Sequence, residues 1–168
     1  MRNYRYILFL WVFLFPNLVI AQPSQAAEDV RELMESRDFQ IKQLLGAEGS
    51  EYSSNQRDEL KDIVNGIIDF TEMAKTALEV TYDTISVEDR TEFVQLFSSI
   101  IRDQSLANLD IYRASVSYER IDGTTDSMYI ETLAEWDNIR TPVHYIMSKN
   151  SGEWRIEDMS IGNTSRME

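Results

Sequence analysis

Few residues in this chain are of the types that do chemistry. His144 is the only histidine, and there is no cysteine. Zinc sites are built from several such ligands, so zinc chemistry of the usual kind is excluded in practice. A Ser-His-Asp nucleophile would have to be built on His144. That residue alternates with Val143 and Tyr145, which turns it to the opposite strand face, alongside Ile146. No partner at a telling spacing accompanies it, and we read it as a structural or surface histidine. Asp137, Glu157 and Asp158 are candidates for acid–base work, yet their spacing does not separate them from a solvated face. The six glycines form no phosphate-cradling loop. Asn163-Thr164-Ser165 fits a glycosylation sequon, a pattern common by chance. We therefore expect no enzyme, no metal and no resident cofactor.

Composition narrows the partners. The formal net charge is −13, from 29 acidic and 16 basic residues. A surface so acidic repels nucleic acid and the anionic face of a membrane. Without cysteine, stability has to rest on the core, and one domain is expected at 168 residues.

The elements that must position any site begin after an apolar leader. Arg2 and Arg5 are the only charges before Glu28, and an apolar run follows them to Ile20, interrupted by Pro16 and Asn17. A basic start, an apolar centre and Val19-Ile20-Ala21 at the cleavage positions predict a signal peptide over residues 1–21; the alternative is an uncleaved anchor. Cleavage would remove two arginines and no acids, moving the formal charge from −13 to −15. Residues 22–168 then form the single exported domain.

That domain reads as helices first and strands second. Val30, Leu33, Met34, Ile41, Leu44 and Leu45 follow helical spacing up to Gly46. Leu60, Ile63, Val64, Ile67 and Ile68 predict a second helical stripe. Asp69 with Glu72 is a capping-box variant that opens a third helix, and Ser86 with Asp89 opens a fourth. The period then changes to two. Val116 and Tyr118 start a strand, Asp122-Gly123 predicts a hairpin turn, and Met128–Leu133, Val143–Met147 and Trp154–Ile161 are further strands. Asp137-Asn138 and Asn150-Ser151-Gly152 supply the remaining turns. Helices ahead of a four-stranded antiparallel sheet make an α+β domain.

The order of these motifs resembles the MlaC/toluene-tolerance family. The resemblance is carried by Asp69-Phe70 with the helix to Leu78, by Tyr82, and by Ser86 with Phe93 and Phe97. Pro142-Val143-His144-Tyr145 and Gly152-Glu153-Trp154 through Asp158 to Gly162 carry the rest. It spans roughly Val30 to Ser165. Glu79 stands where the family has glycine, and Tyr82 where it has tryptophan. Relatives also continue into a C-terminal helix, which is expected to be lacking here. The resemblance implies a periplasmic phospholipid carrier of an ABC transport system, one that maintains outer-membrane lipid asymmetry. Its implied partners are an inner-membrane ABC transporter complex and an outer-membrane lipoprotein–porin complex, with phospholipid as cargo.

Phe70, Met73, Leu78, Phe93, Phe97, Ile101, Val116, Tyr118, Met128, Ile130, Tyr145 and Met147 are the expected inward-facing residues. From the residues alone, a filled core is the better reading of them. The resemblance implies instead an apolar pocket, kept open between helices and sheet, with these twelve as its lipid-binding wall. A two-chain phospholipid has about 30 methylenes worth ~0.8 kcal/mol each, so crossing water unshielded costs on the order of 20 kcal/mol. A dry pocket removes most of that cost and makes hand-off depend on docking.

Two other readings fit the same pattern. One is a small cone-shaped α+β enzyme of isomerase or dehydratase type, with a carboxylate or His144 at the pocket mouth. The other is a protein-interaction module with a filled core.

Overall fold

The computed structural model describes residues 24–107, 109–162 and 165–166. The expected signal peptide and most of the sequon lie outside the described residues. Helix α1 (Gln25–Leu45) starts where the Ser24 side chain accepts from the Ala27 amide, and it stops at Gly46, whose φ of 59° suits glycine. Helix α2 (Ser54–Asn65) opens with a full capping box between Ser53 and Gln56. Helix α3 (Phe70–Leu78) is capped by Asp69, which accepts from the Thr71 and Glu72 amides at 3.1 Å each. A short α4 (Val80–Thr84) and a long α5 (Val87–Ser105) follow, the latter capped by Ser86. A 3-10 turn, Leu109–Arg113, leads into the strands.

The strands are β1 (Ser115–Gly123), β2 (Ser127–Trp136), β3 (Ile139–Asn150) and β4 (Glu153–Ile161). They pair antiparallel in chain order, and a two-residue β5 (Ser165–Arg166) pairs with the start of β3. Asp137 and Asn138, both at positive φ, form the two-residue turn that joins Trp136 to Ile139. Ser151 and Gly152 do the same between Asn150 and Glu153. Helices before a four-stranded antiparallel sheet are the α+β architecture expected.

Three local expectations shift. The stripe assigned to the second helix ends at Asn65; Ile67 lies in the turn that follows, and Ile68 forms a parallel bridge with Ile156 of β4. The Ile156 amide donates to the Ile67 carbonyl at 2.8 Å, and the Asp69 amide donates to the Ile156 carbonyl at 2.9 Å. This segment thereby covers part of the β4 edge, which would otherwise present unpaired backbone. The first hairpin turns at Thr124–Asp126, later than Asp122-Gly123, because Gly123 stays paired with Met128. A side chain at Gly123 would strike the Ser127 carbonyl, so the close strand crossing requires glycine. Finally, the third helix and the fourth are separated by α4, with Glu79 at φ 50° and ψ −130° between α3 and α4. That backbone region is glycine territory, which accounts for the physical sense of a glycine at this position.

The helices cover one sheet face. Register places Val116, Tyr118, Ile121, Met128, Ile130, Thr132, Val143, Tyr145, Met147, Trp154 and Ile156 on it. The main core joins Ala27 and Val30 of α1, Ile67 and Met73 to Met128, Ile130, Met147, Trp154 and Ile156. A second cluster packs Ile41 and Leu45 of α1 against Leu60 of α2 and Leu109.

Candidate functional site

The site is built on the apolar layer between helices and sheet. Alternation in β2 and β3 sends every second residue inward, and side chains from helices meet them there. Met128, Ile130 and Met147 are at most 1% exposed and form the floor. Met73 joins them from α3, and Phe97 of α5, Tyr118 and Tyr145 pack against the same cluster while keeping some exposure. Phe93 stacks on Phe97 with ring centroids 5.7 Å apart. These eight residues form one continuous apolar surface.

The remaining four are placed differently. Phe70 is buried, but its ring lies beneath the Arg102 guanidinium, 4.6 Å from the centroid, at the edge of a surface groove. Leu78 and Ile101 are half-buried on α3 and α5, and Val116 is exposed near the start of the edge strand β1. Sequence reasoning left out contributors from α1. Ala27 and Val30 belong to the core cluster, with Leu33 and Met34 packed against it. Their helical spacing was the available signal.

The layer is only partly covered. None of the 19 residues of α5 is fully buried, and Val87, Leu96 and Ile100 are exposed. Helix α5 rests mainly on α3 and α2. On the helix-facing side of the sheet, Val116, Met159 and Ile161 are also exposed, the last at 65%. Apolar side chains on α5 and on the helix-facing side of the sheet are thus both left exposed to solvent.

Electrostatics keep this layer neutral. Burial, helped by the charges of Asp38 and Glu35, pushes the Tyr118 hydroxyl well above the usual tyrosine range. Burial likewise raises Tyr145, whose hydroxyl is near Thr132. Tyr112, which donates to the Ser105 carbonyl at 2.9 Å, is pushed up to about 12 by burial. None of these hydroxyls ionises near neutral pH.

The polar candidates lie elsewhere. His144 is on the opposite sheet face, across from Glu131 and tilted against the Tyr129 ring at 6.0 Å. Asp137 is exposed in a turn. Glu157 accepts from the Ser148 hydroxyl, and Asp158 accepts from the Met159 amide at 2.8 Å. They do not converge, and among the described residues no group of three His, Cys, Asp or Glu could hold a metal.

Fold and site together define an α+β domain with helices on one face of an antiparallel meander and an open apolar layer between them. The chain matches the family model described as MlaC protein over residues 26–168 and belongs to that family. It is similar in structure to the phospholipid-binding protein of Ralstonia solanacearum, solved in complex with a phospholipid. The TM-score is 0.61 at 15% identity, over 82% of this chain and 78% of that one, a likeness of fold. No curated protein is a significant sequence match.

Proposed function

We propose that this protein is a periplasmic phospholipid carrier that shelters acyl chains between α5 and the helix-facing side of the sheet. The observation that carries the reading is the uncovered apolar layer, in a fold shared with a protein solved holding a phospholipid. Met73, Met128, Ile130 and Met147 form the floor, and Phe93, Phe97, Ile101, Val116, Tyr118 and Tyr145 are the wall that meets the chains. Methionine adapts to irregular chain shapes at little cost, which suits such a floor. Phe70 and Leu78 support α3.

The carrier takes lipid from one membrane complex and delivers it to another, between an inner-membrane ABC transporter and an outer-membrane lipoprotein–porin complex. Release into water is disfavoured by the same ~0.8 kcal/mol per methylene that drives binding, so transfer requires docking. Residues 1–21 direct export and are removed, leaving an N-terminus near Gln22.

Mass spectrometry of an organic extract of the purified protein tests the reading. Phospholipid at near-stoichiometric amounts is the expected result. Protein recovered free of lipid, which also fails to take lipid from vesicles, overturns it.

A further inference from the structure

Two surface grooves meet at Arg102 and Ser98 of α5. One, of about 300 Å³, is lined by Lys61, Gln95, Ser99 and Asp103; the other, of about 520 Å³, runs over Ile68, Phe70 and Val94 toward the β3–β4 turn. We infer that Arg102, flanked by Lys61, is a subsite for the phosphate of an amphiphilic phosphodiester, a reading that rests on the carrier function. In a chain with nearly twice as many acids as bases, a cation has many carboxylates to choose from. Seven of the described cations pair with one within 4.0 Å. Arg102 and Lys61 are not among them. Arg102 instead lies over the Phe70 ring, 4.6 Å from its centroid, with its N–H fork without an acceptor among the described residues. A planar fork held in that way is the geometry that recognises phosphate through two parallel hydrogen bonds.

The carboxylates nearby are largely engaged. Asp69 accepts from the Thr71 and Glu72 amides and from Asn150, and Glu153 pairs with Arg155 at 2.6 Å. Asp103 alone among the lining acids is without a partner among the described residues, and it lines the first groove together with both cations. The floor explains why the ligand is amphiphilic. Ile68 and Phe70 line the groove, and Ile68 packs directly against the main core. An anion held at Arg102 therefore has apolar side chains beside it on which an acyl chain can lie.

Short-chain phosphatidylglycerol and diacylglycerol of equal chain length, both below their micellar concentrations, separate headgroup from chain recognition; inorganic phosphate serves as the free anion. Affinities are measured by calorimetry for the full chain and for Arg102→Gln and Arg102→Lys, with circular dichroism reporting folding. Arg102→Gln should weaken phosphatidylglycerol about tenfold while leaving diacylglycerol unchanged, and Arg102→Lys should fall between. Raising salt should shrink the difference, because the site is exposed. A folded Arg102→Gln variant with the wild-type ratio of affinities overturns the subsite and leaves the carrier reading standing. Inorganic phosphate bound at Arg102 alongside an unchanged lipid ratio overturns it in favour of a free anion. Wild-type protein that binds neither lipid overturns both readings.

Discussion

The Arg113 guanidinium donates to the Gly46 carbonyl at 2.8 Å, tying the end of α1 to a turn 67 residues later. The same side chain reaches the Leu45 and Ala47 carbonyls, the Tyr52 hydroxyl and the Asp110 carboxylate. Carbonyls at a helix end have no partner within the helix, and here one cation satisfies them. It also clamps the second core cluster shut at the place where α1, α2 and the 3-10 turn converge.

Replacing Arg113 with Met keeps the stem and removes the donors. The side chain is 11% exposed and holds three backbone carbonyls, a hydroxyl and a carboxylate, so the urea-unfolding midpoint should fall clearly. Arg120→Met removes an exposed pair with Asp122 at 2.7 Å and should leave the midpoint nearly unchanged. Equal effects would remove the special standing of Arg113.

Glu79→Gly relieves a backbone conformation that side chains rarely adopt. The gain should be on the order of 1 kcal/mol despite the flexibility glycine adds to the unfolded chain. Glu79→Ala, which keeps the Cβ, should gain nothing. Thermal or urea unfolding of the pair separates backbone relief from loss of charge.

Much of this was legible in the sequence, for local reasons. Asp69 and Ser86 cap the helices that their spacing to Glu72 and Asp89 announces. Alternation through Met128 and Ile130 gave the correct sheet face, and Asp137-Asn138 gave a turn. Ile67 and Ile68 misled because their helical spacing continues across Gly66, while the partner that draws them out, Ile156, is distant in sequence. The site was harder to read. Periodicity tells which face Met147 occupies, not whether the face is filled or left open. That depends on how closely α5 approaches, which is a property of packing.

Phe97→Asp places a carboxylate in the apolar layer, at several kcal/mol unless it is solvated or protonated. Lipid binding should be lost, and Tyr118→Asp should behave alike. Thr91→Asp, at an exposed polar position of α5, should keep both fold and lipid load. Vesicle-extraction assays on folded variants make the comparison.

High pH should unfold the protein through its buried tyrosines. Tyr112 holds its proton up to about 12, whereas an unfolded tyrosine titrates near 10. Its contribution to stability is complete below about pH 10 and is lost as pH rises toward the folded value. Tyr118, also raised, adds to the loss over the same range and beyond. Tyr112→Phe, with no proton to lose, should move the alkaline unfolding midpoint upward, as followed by circular dichroism against tyrosinate absorbance.

Photocrosslinking tests the central claim most directly. A photoreactive phenylalanine is placed at position 97, inside the layer, or at position 146, on the opposite sheet face where Ile146 is exposed. After incubation with phospholipid vesicles, re-isolation and illumination, mass spectrometry counts lipid adducts. The account predicts adducts at position 97 and none above background at position 146. Adducts at position 146, or at neither position in protein that carries lipid, would contradict it.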